Sequence, residues 1–300
     1  MTNIISSDKL KRGLNGVKSY AARLFSSLNT DTATKEKNGM MSKEDKKKLD
    51  SYVLTWLSDG AGAAFHNSLY RGKNLGNSVT NKQYEDIANG VFGDIFIGDY
   101  WIINERKYII ADFNYWLYTG INWMNTNHVL LVPSCIMYNS KMHSISDTSV
   151  GYTGTDLYKS GLEQAKQIIY DAFGEEHILT HKEFLVNSAV NSKPSAASYY
   201  DSKVELMTER MVYGNGVFAS TNDGSANSWH HSVDNSQLSL FRLCHSRIVA
   251  SYEDGERCDY WLRDIDNNTS FCKVGYDGRA HHEAATISIG VRPIFAICAA

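Results

Sequence analysis

Length, composition and charge already exclude several kinds of protein. The chain has 300 residues, enough for one large domain with a smaller element or for two modest domains. Its 30 basic and 33 acidic residues give a formal net charge of −3, whereas a nucleic-acid-binding protein usually carries a strong basic excess. We therefore expect no nucleic-acid partner. The five cysteines include no CxxC pair, so neither a zinc site nor a disulfide framework is predicted.

Nothing in the sequence points to a membrane. No apolar run reaches the length needed to cross a bilayer. The N-terminal residues lack the basic and apolar regions of a signal peptide. We expect no membrane insertion and synthesis in the cytoplasm, so any role outside the cell requires another route of release.

The first predicted element is a helix with a heptad pattern. Its apolar residues alternate spacings of four and three, which is the a/d pattern of a coiled coil. We expect this helix to associate with other copies of the chain. Gly13 and Gly16 each lower helix stability by about 1 kcal/mol relative to Ala, so a helix that packs on its own domain is the alternative. The stem residues are Leu10, Leu14, Val17, Ala21, Leu24 and Leu28.

A second helix is predicted after residue 42. Ser42 is a favourable N-cap, and Glu44 and Asp45 fall in the first turn, where the helix dipole favours negative charge. Residues 1–60 are therefore predicted to form a helical oligomerisation stem. Residues 61–86 are small, polar and rich in glycine, which predicts a linker.

The remaining residues, 87–300, are predicted to form a mixed α+β domain. A helical pattern over 156–173 lies between stretches of short strands, and this arrangement is typical of the α+β class. A two-residue hairpin is predicted at Asn104–Glu105. Further helices are predicted over Glu183–Val190 and Val204–Tyr213, and further strands over 128–133, Tyr260–Arg263, Phe271–Val274 and Val291–Ile297.

Two arginines lie among apolar residues near the end of the chain. Arg263 follows a Trp-Leu pair, and Arg292 follows Val291. Because a guanidinium stays charged, each is predicted to be semi-buried with a carboxylate or carbonyl partner. A structural role is favoured over contact with a ligand.

One stretch begins like a calcium loop. Asp264, Asp266 and Asn268 have D-x-D-x-N spacing. An EF-hand then requires Gly and Glu where the chain has Thr269 and Gly275. An Asx-rich turn is the favoured interpretation, and a lectin-type calcium site at the first three residues is the alternative. We expect no other cofactor.

The stretch 273–289 is the candidate recognition surface. It combines aromatic and charged side chains around Gly275 and Gly278, a composition typical of binding loops. An ordinary solvent-exposed loop is the alternative. No catalytic residues are predicted, because the sequence has neither a G-x-S-x-G elbow nor a P-loop. The candidate ligand- or receptor-binding residues are Tyr276, Asp277, Arg279, His281, His282 and Glu283.

An N-terminal segment resembles a known type of phage protein. Residues 32–50, which include Gly39-Met40-Met41-Ser42 and Lys48-Leu49-Asp50, resemble a segment that recurs in phage fibre proteins. The resemblance implies a virion appendage that is a homo-oligomer, often a trimer. It also implies attachment to other virion proteins through the N-terminus.

A second resemblance covers most of the C-terminal domain. It resembles a domain of unknown function in phage structural proteins of gut bacteria, marked by Trp-Leu-Arg and then Gly-Val-Arg-Pro. The layout is also similar to C-type-lectin-like domains of the formylglycine-generating-enzyme kind, which include phage receptor-binding proteins. These resemblances imply a lectin-like α+β fold, with ligand contacts in the loop between the two motifs. The matching segments are Gly98–Trp101, Ala111–Phe113, Val204–Met207, Tyr260–Arg263 and Gly290–Ile297.

Together these features predict a bacteriophage virion fibre protein, of the tail or the head, rather than an enzyme. Its stem would oligomerise, and its C-terminal domain would bind a glycan or protein on the host surface. A head-fibre, decoration or collar protein without receptor binding is the first alternative. An oxidase of the formylglycine-generating kind, with Cys258 and Cys272 as its reactive pair, is a remote alternative.

Overall fold

A computed structural model describes most of the chain after residue 61. It covers residue 15 and residues 42–46, 62–120, 123–220, 236–244 and 247–300. The predicted heptad residues Leu10, Leu14, Val17, Ala21, Leu24 and Leu28 lie outside the described residues, so the coiled coil stays a prediction. Ser42 is described, and its hydroxyl accepts the backbone N–H of Asp45 at 3.0 Å, which confirms the predicted N-cap of the helical turn over 43–46.

The described residues from 62 onward form a mixed α+β domain, mostly of strands, which confirms the predicted class. The helices are α1 (Ala63–His66), α2 (Asn81–Ala88), α3 (Leu162–Phe173, preceded by a π-helical turn over Leu157–Gly161), α4 (Glu209–Tyr213) and α5 (Ser239–Leu243), and a 3-10 turn covers Glu175–His177. The strands are β1 (Tyr100–Ile103), β2 (Arg106–Phe113), β3 (Val129–Pro133), β4 (Tyr138–Lys141), β5 (His181–Val190), β6 (Lys193–Ser202), β7 (Val204–Leu206), β8 (Val249–Ala250), β9 (Arg257–Cys258), β10 (Tyr260–Ile265), β11 (Ser270–Val274), β12 (Ala280–Ala284), β13 (Ser288–Val291) and β14 (Pro293–Ile297).

Two five-stranded sheets organise this domain. Sheet one has the order β1-β2-β3-β14-β7, and all of its neighbours are antiparallel. Sheet two has the order β12-β11-β10-β13-β4, with one parallel pair, β10 and β13. Strands β5 and β6 form a separate long hairpin, and β8 pairs with β9. The two last strands, β13 and β14, therefore belong to different sheets.

Arg292 lies where the chain passes from sheet two to sheet one. Its side chain is only 1% exposed. Its Nε donates to the carbonyl oxygen of Pro133 at 2.9 Å, at the end of β3, and its Nη1 donates to the hydroxyl of Tyr260 at 3.3 Å, at the start of β10. The predicted carbonyl partner is thus confirmed, and the guanidinium joins one strand of each sheet.

Gly290, in the same motif, lets two strands approach closely. Its N–H donates to the carbonyl oxygen of Asp259 at 3.0 Å, beside the parallel pairing of Tyr260 with Gly290. A Cβ at this position would lie 2.6 Å from that carbonyl oxygen. Only glycine fits here without moving the backbone.

The middle of sheet two, at β10 and β11, is buried on both faces. Along β10, Tyr260 and Leu262 belong to a core shared with sheet one and α3, whereas Trp261 and Ile265 belong to a second core. Successive side chains of a strand point to opposite faces, so β10 separates the two cores. The second core is completed by Leu185 of β5 and by residues between β4 and α3.

Several predicted elements are confirmed. The two-residue hairpin at Asn104–Glu105 joins β1 to β2, and both residues have positive φ, 48° and 64°, as a type I′ turn requires. The predicted helix over 156–173 is present as the π-helical turn and α3, with Gly174 at its C-cap. The predicted strands 128–133, Tyr260–Arg263, Phe271–Val274 and Val291–Ile297 correspond to β3, β10, β11 and the β13–β14 pair.

Two predicted helices are wrong. Residues 183–190 lie in strand β5, where His181, Glu183 and Leu185 are buried in alternation and pair with β6. The predicted helix Val204–Tyr213 is instead strand β7 followed by the short helix α4. In both segments the buried residues fit helical and strand spacing alike over a short window. Pairing with the following strand β6 decided the first segment, and pairing with the distant strand β14 decided the second.

Residues 62–86, expected to be a linker, belong to the same compact unit as the rest of the domain, Ala61–Ala300. The segment is fixed by the buried carboxylate of Asp99. That carboxylate accepts from the Arg71 guanidinium, from the N–H of Lys73 at 2.7 Å and from the N–H of Phe96 at 2.8 Å. The boundary of the domain therefore lies before residue 62 rather than near residue 87.

Within the described part of the chain, none of the helices combines the length and the apolar character that crossing a bilayer requires.

Substituting Gly290→Ala should lower the free energy of unfolding by about 3 kcal/mol, because the added Cβ overlaps a backbone carbonyl that cannot rotate away. Urea denaturation at one pH measures this change. Gly62→Ala is the matched control, since nothing lies within 4 Å of the Cβ it adds and its φ of −72° suits alanine. Equal effects of the two substitutions would contradict the close approach.

Candidate functional site

The six predicted recognition residues lie on a β-hairpin rather than on a loop. Residues 275–279 form the turn after β11, and His281, His282 and Glu283 lie on β12 at the edge of sheet two. The expected loop over 273–289 is therefore corrected, because residues 280–284 pair with β11 along their whole length. Tyr276 at the turn is 63% exposed.

Three of these residues make ion pairs inside the hairpin region. Glu283 lies 2.9 Å from the ammonium of Lys273, which also contacts Asp259 at 2.6 Å. Asp277 pairs with Arg279 at 3.1 Å. These contacts stabilise the hairpin. Glu283 in particular helps to hold β12 against β11 through Lys273.

The two histidines lie beside an aromatic ring from another segment. The centroid of the Phe218 ring lies 5.2 Å from the centroid of the His282 ring and 6.4 Å from that of the His281 ring. The carboxylate of Glu209 accepts the backbone N–H of Val217, Phe218 and Ala219 at 2.6–2.9 Å and thereby positions Phe218.

Tyr276 also lines a shallow cleft of about 300 Å³. None of the other five predicted recognition residues lines it. The sequence analysis therefore identified one residue that lines this cleft, but not the other lining residues. The cleft is lined by Asn139, Arg257, Cys258, Asp259, Tyr276, Ser288, Ile289 and Gly290.

Each of the three candidate calcium-binding residues has another partner within the protein. Asp264 accepts the N–H of Glu209 at 2.6 Å, and Asp266 lies 3.3 Å from Nδ1 of His282. The backbone carbonyl of Asn268 accepts from Thr148. Among the described residues, no group of three or more His, Cys, Asp or Glu side chains is arranged to hold a metal ion.

A larger cleft, which the sequence analysis missed, lies beside α3. It has a volume of about 520 Å³, within the range of small-molecule sites. One wall is α3 with the turn before it, and the other is the end of β6 with the start of β7. Its lining residues are Tyr158, Lys159, Leu162, Glu163, Lys166, Tyr170, Thr180, Asp201, Ser202, Lys203, Val204 and Glu205.

A smaller cleft of about 190 Å³ shares Thr180 and Asp201 with the larger one. Trp123 at this end is 70% exposed, an unusual position for so large an apolar side chain. We call the two clefts together the Asp201 groove. The smaller part is lined by Thr119, Trp123, Met124, Asn125, Thr180, His181, Lys182 and Asp201.

A buried polar network lies under the Asp201 groove. Glu205, 3% exposed, accepts from the hydroxyl of Tyr152 and from that of Ser202, both at 2.9 Å. Glu183 on β5 contacts the guanidinium of Arg263 and lies 3.0 Å from Nε2 of His181. The predicted carboxylate partner of Arg263 is therefore confirmed, and it comes from the hairpin β5–β6.

The two carboxyls of this network differ in pKa. Burial raises the pKa of Glu205 to about 7, and repulsion from Glu183 adds to the rise. Burial also acts on Glu183, but Arg263 and His181 favour its charged form and hold its pKa below the ordinary value. One guanidinium thus keeps one carboxylate ionised, while the other carboxyl is half-protonated near neutral pH.

Neither cysteine of the oxidase alternative has a lowered pKa. Burial raises the pKa of the Cys258 thiol to about 11 and raises that of Cys272 as well. The thiolate is the reactive form of cysteine, so these surroundings disfavour the reactive form of both side chains. Both are free cysteines, Cys258 on β9 and Cys272 buried on β11.

Part of this chain is similar to a family without a known function. Residues 178–299 match the family described as Domain of unknown function (DUF6273). The match spans β5 to β14 and so includes Arg263, Arg292 and one wall of the Asp201 groove. No curated protein and no solved structure matches the chain significantly.

Substituting Glu205→Gln should change how stability depends on pH. The folded chain keeps a proton on Glu205 up to about pH 7, whereas an ordinary Glu releases it near 4.5. The wild type should therefore lose stability relative to Glu205→Gln as pH rises from about 4.5 to about 7, and lose no more above that. Urea denaturation across this range measures the difference.

Glu163→Gln is the matched control for that experiment. Glu163 lines the same cleft, but its carboxylate is exposed and pairs with Lys166 on the surface. A constant difference between the wild type and Glu205→Gln across the whole pH range would contradict the raised pKa.

Proposed function

We propose that this chain is a bacteriophage virion fibre protein, of the tail or head, that oligomerises through its N-terminal stem and presents its C-terminal domain to the host surface. The observation that carries the binding half is the Asp201 groove, an open cleft with an exposed tryptophan on a domain with two buried cores. Exposed aromatic side chains beside concave polar surface are typical of recognition sites.

The virion half of the proposal is supported by the sequence. Residues 32–50 resemble the recurrent segment of phage fibres, and the heptad residues before them favour self-association. The partners are other copies of the chain, as a trimer, and other virion proteins bound through the N-terminus. The protein is made in the bacterial cytoplasm and reaches the outside on the released particle.

The finer assignment of the fold is also part of this proposal. We expect the C-terminal domain to be a variant of the C-type-lectin-like domains of the formylglycine-generating-enzyme kind. What supports this is the end of the chain, where the Gly-Val-Arg-Pro motif leads into β14, an interior strand of sheet one. The domain acts by binding and not by catalysis, which the raised pKa values of Cys258 and Cys272 support.

A head-fibre, decoration or collar protein without receptor binding is the second candidate. The ion pairs of Asp277, Arg279 and Glu283 favour it, because side chains already paired within the hairpin gain less from a ligand. Neither candidate function includes a calcium ion bound at Asp264, Asp266 and Asn268.

The stem is tested by its heptad. Full-length chain should scatter light as an assembly of several 33.7 kDa copies. Leu14→Lys with Leu24→Lys should reduce it to a monomer, because two charges then face the helix seam. Ser19→Lys with Ser26→Lys is the matched control, since these residues lie on the outer face of the same heptads. A monomeric wild type would refute the stem.

The location is tested on the particle itself. Antibodies against residues 62–300 should label fibres of the phage that encodes this chain when gold-labelled particles are imaged by electron microscopy. Label confined to a head lattice or collar, together with no binding of the chain to host cells, would favour the second candidate. Particles without label would refute both.

A further inference from the structure

The two parts of the Asp201 groove form one elongated surface. They meet at Thr180 and Asp201, so a ligand that enters beside Trp123 continues past these residues to the wall formed by Tyr158 and Tyr170. The shape suits a chain molecule rather than a single compact one.

Trp123 is displayed by a strained segment. Trp123 and Tyr118 are 70% and 63% exposed, and their φ angles are 45° and 63°. Residues other than glycine rarely adopt a positive φ. Backbone strain of this kind concentrates at binding sites. Backbone hydrogen bonds from Tyr118 to Met124 at 2.6 Å and from Met124 to Thr119 at 3.0 Å hold the segment.

Three of the four lysines that line the groove are paired with nearby carboxylates. Lys166 contacts Glu163 at 2.6 Å, Lys203 contacts Glu175 at 2.9 Å, and Lys182 contacts Asp201 at 2.8 Å. A strongly charged ligand would have to compete with these pairs. Uncharged hydroxyl groups can instead add hydrogen bonds to both members of each pair.

The remaining polar groups suit the same kind of ligand. Asn125, Thr180 and Asp201 are exposed along the groove and together offer amide, hydroxyl and carboxylate groups. The tyrosines of the far wall add aromatic rings with polar hydroxyl ends. Alternating apolar and hydrogen-bonding surface matches a sugar ring, which has C–H groups on its faces and hydroxyl groups around its edge.

We propose that the Asp201 groove binds an uncharged oligosaccharide, with one pyranose ring stacked on Trp123 and the following sugars hydrogen-bonded to Asp201 and Asn125. This inference rests on the proposed surface-binding function and names its ligand class and its site. It assigns recognition to this groove and not to the hairpin around Tyr276. Weak binding at each copy would be multiplied in the oligomer.

The test uses full-length chain on an array of oligosaccharides. The uncharged probes are mannose, glucose, galactose and N-acetylglucosamine oligomers, and the charged probes are sialylated and sulfated ones. We expect binding within the uncharged set. Trp123→Ala should weaken it about ten-fold, because aromatic packing of this kind contributes about 1 kcal/mol or more. Trp123→Phe should restore part of the affinity.

Tyr276→Ala is the matched control. Tyr276 is nearly as exposed as Trp123 and lines the other cleft, so its removal should leave binding unchanged. Thermal unfolding of both alanine variants checks that neither loses its fold. Binding confined to sialylated or sulfated probes, or lost with Tyr276→Ala but kept with Trp123→Ala, would overturn the inference.

The glycan-array result and the particle-labelling result test different proposals. Labelled fibres together with no glycan bound would overturn the groove assignment while the virion function stands. Trp123-dependent binding together with unlabelled particles would support the groove and overturn the virion function.

Discussion

One buried guanidinium fixes the relation between the two sheets. Arg292 joins the end of β3 to the start of β10, and the rings of Tyr260 and Phe241 lie 5.2 and 5.6 Å from its central carbon. A guanidinium does not lose its proton in a protein, so it cannot escape burial by becoming neutral. Its carbonyl, hydroxyl and aromatic partners must therefore stay in place, and with them the crossing between sheets.

A second buried guanidinium connects this scaffold to the candidate site. Arg263 projects from sheet two and requires the carboxylate of Glu183 on the hairpin β5–β6, because an unpaired buried charge is strongly destabilising. The same hairpin ends in Asp201 and Ser202, which line the Asp201 groove. The Trp-Leu-Arg motif thus supports the groove indirectly, by holding one of its walls against sheet two.

The candidate site also shows what local composition does not reveal. The stretch around Tyr276 has the aromatic and charged content of a binding loop, yet its charges pair with each other and with Lys273 once β12 joins the sheet. The groove draws its residues from segments more than 70 residues apart, from Trp123 to Glu205. No short stretch of the sequence contains all of these residues, so local composition cannot identify them as one site.

The sequence by itself determined the α+β class, the turn at Asn104–Glu105, the helix that ends at Gly174 and the kind of partner that each arginine has. Each depends on local spacing or on the chemistry of one residue type. The tertiary structure alone decided that 204–206 is a strand paired with β14, that 62–86 belongs to the domain, and where the open cleft lies. These features depend on pairing between residues far apart in the chain, which short-range patterns do not encode.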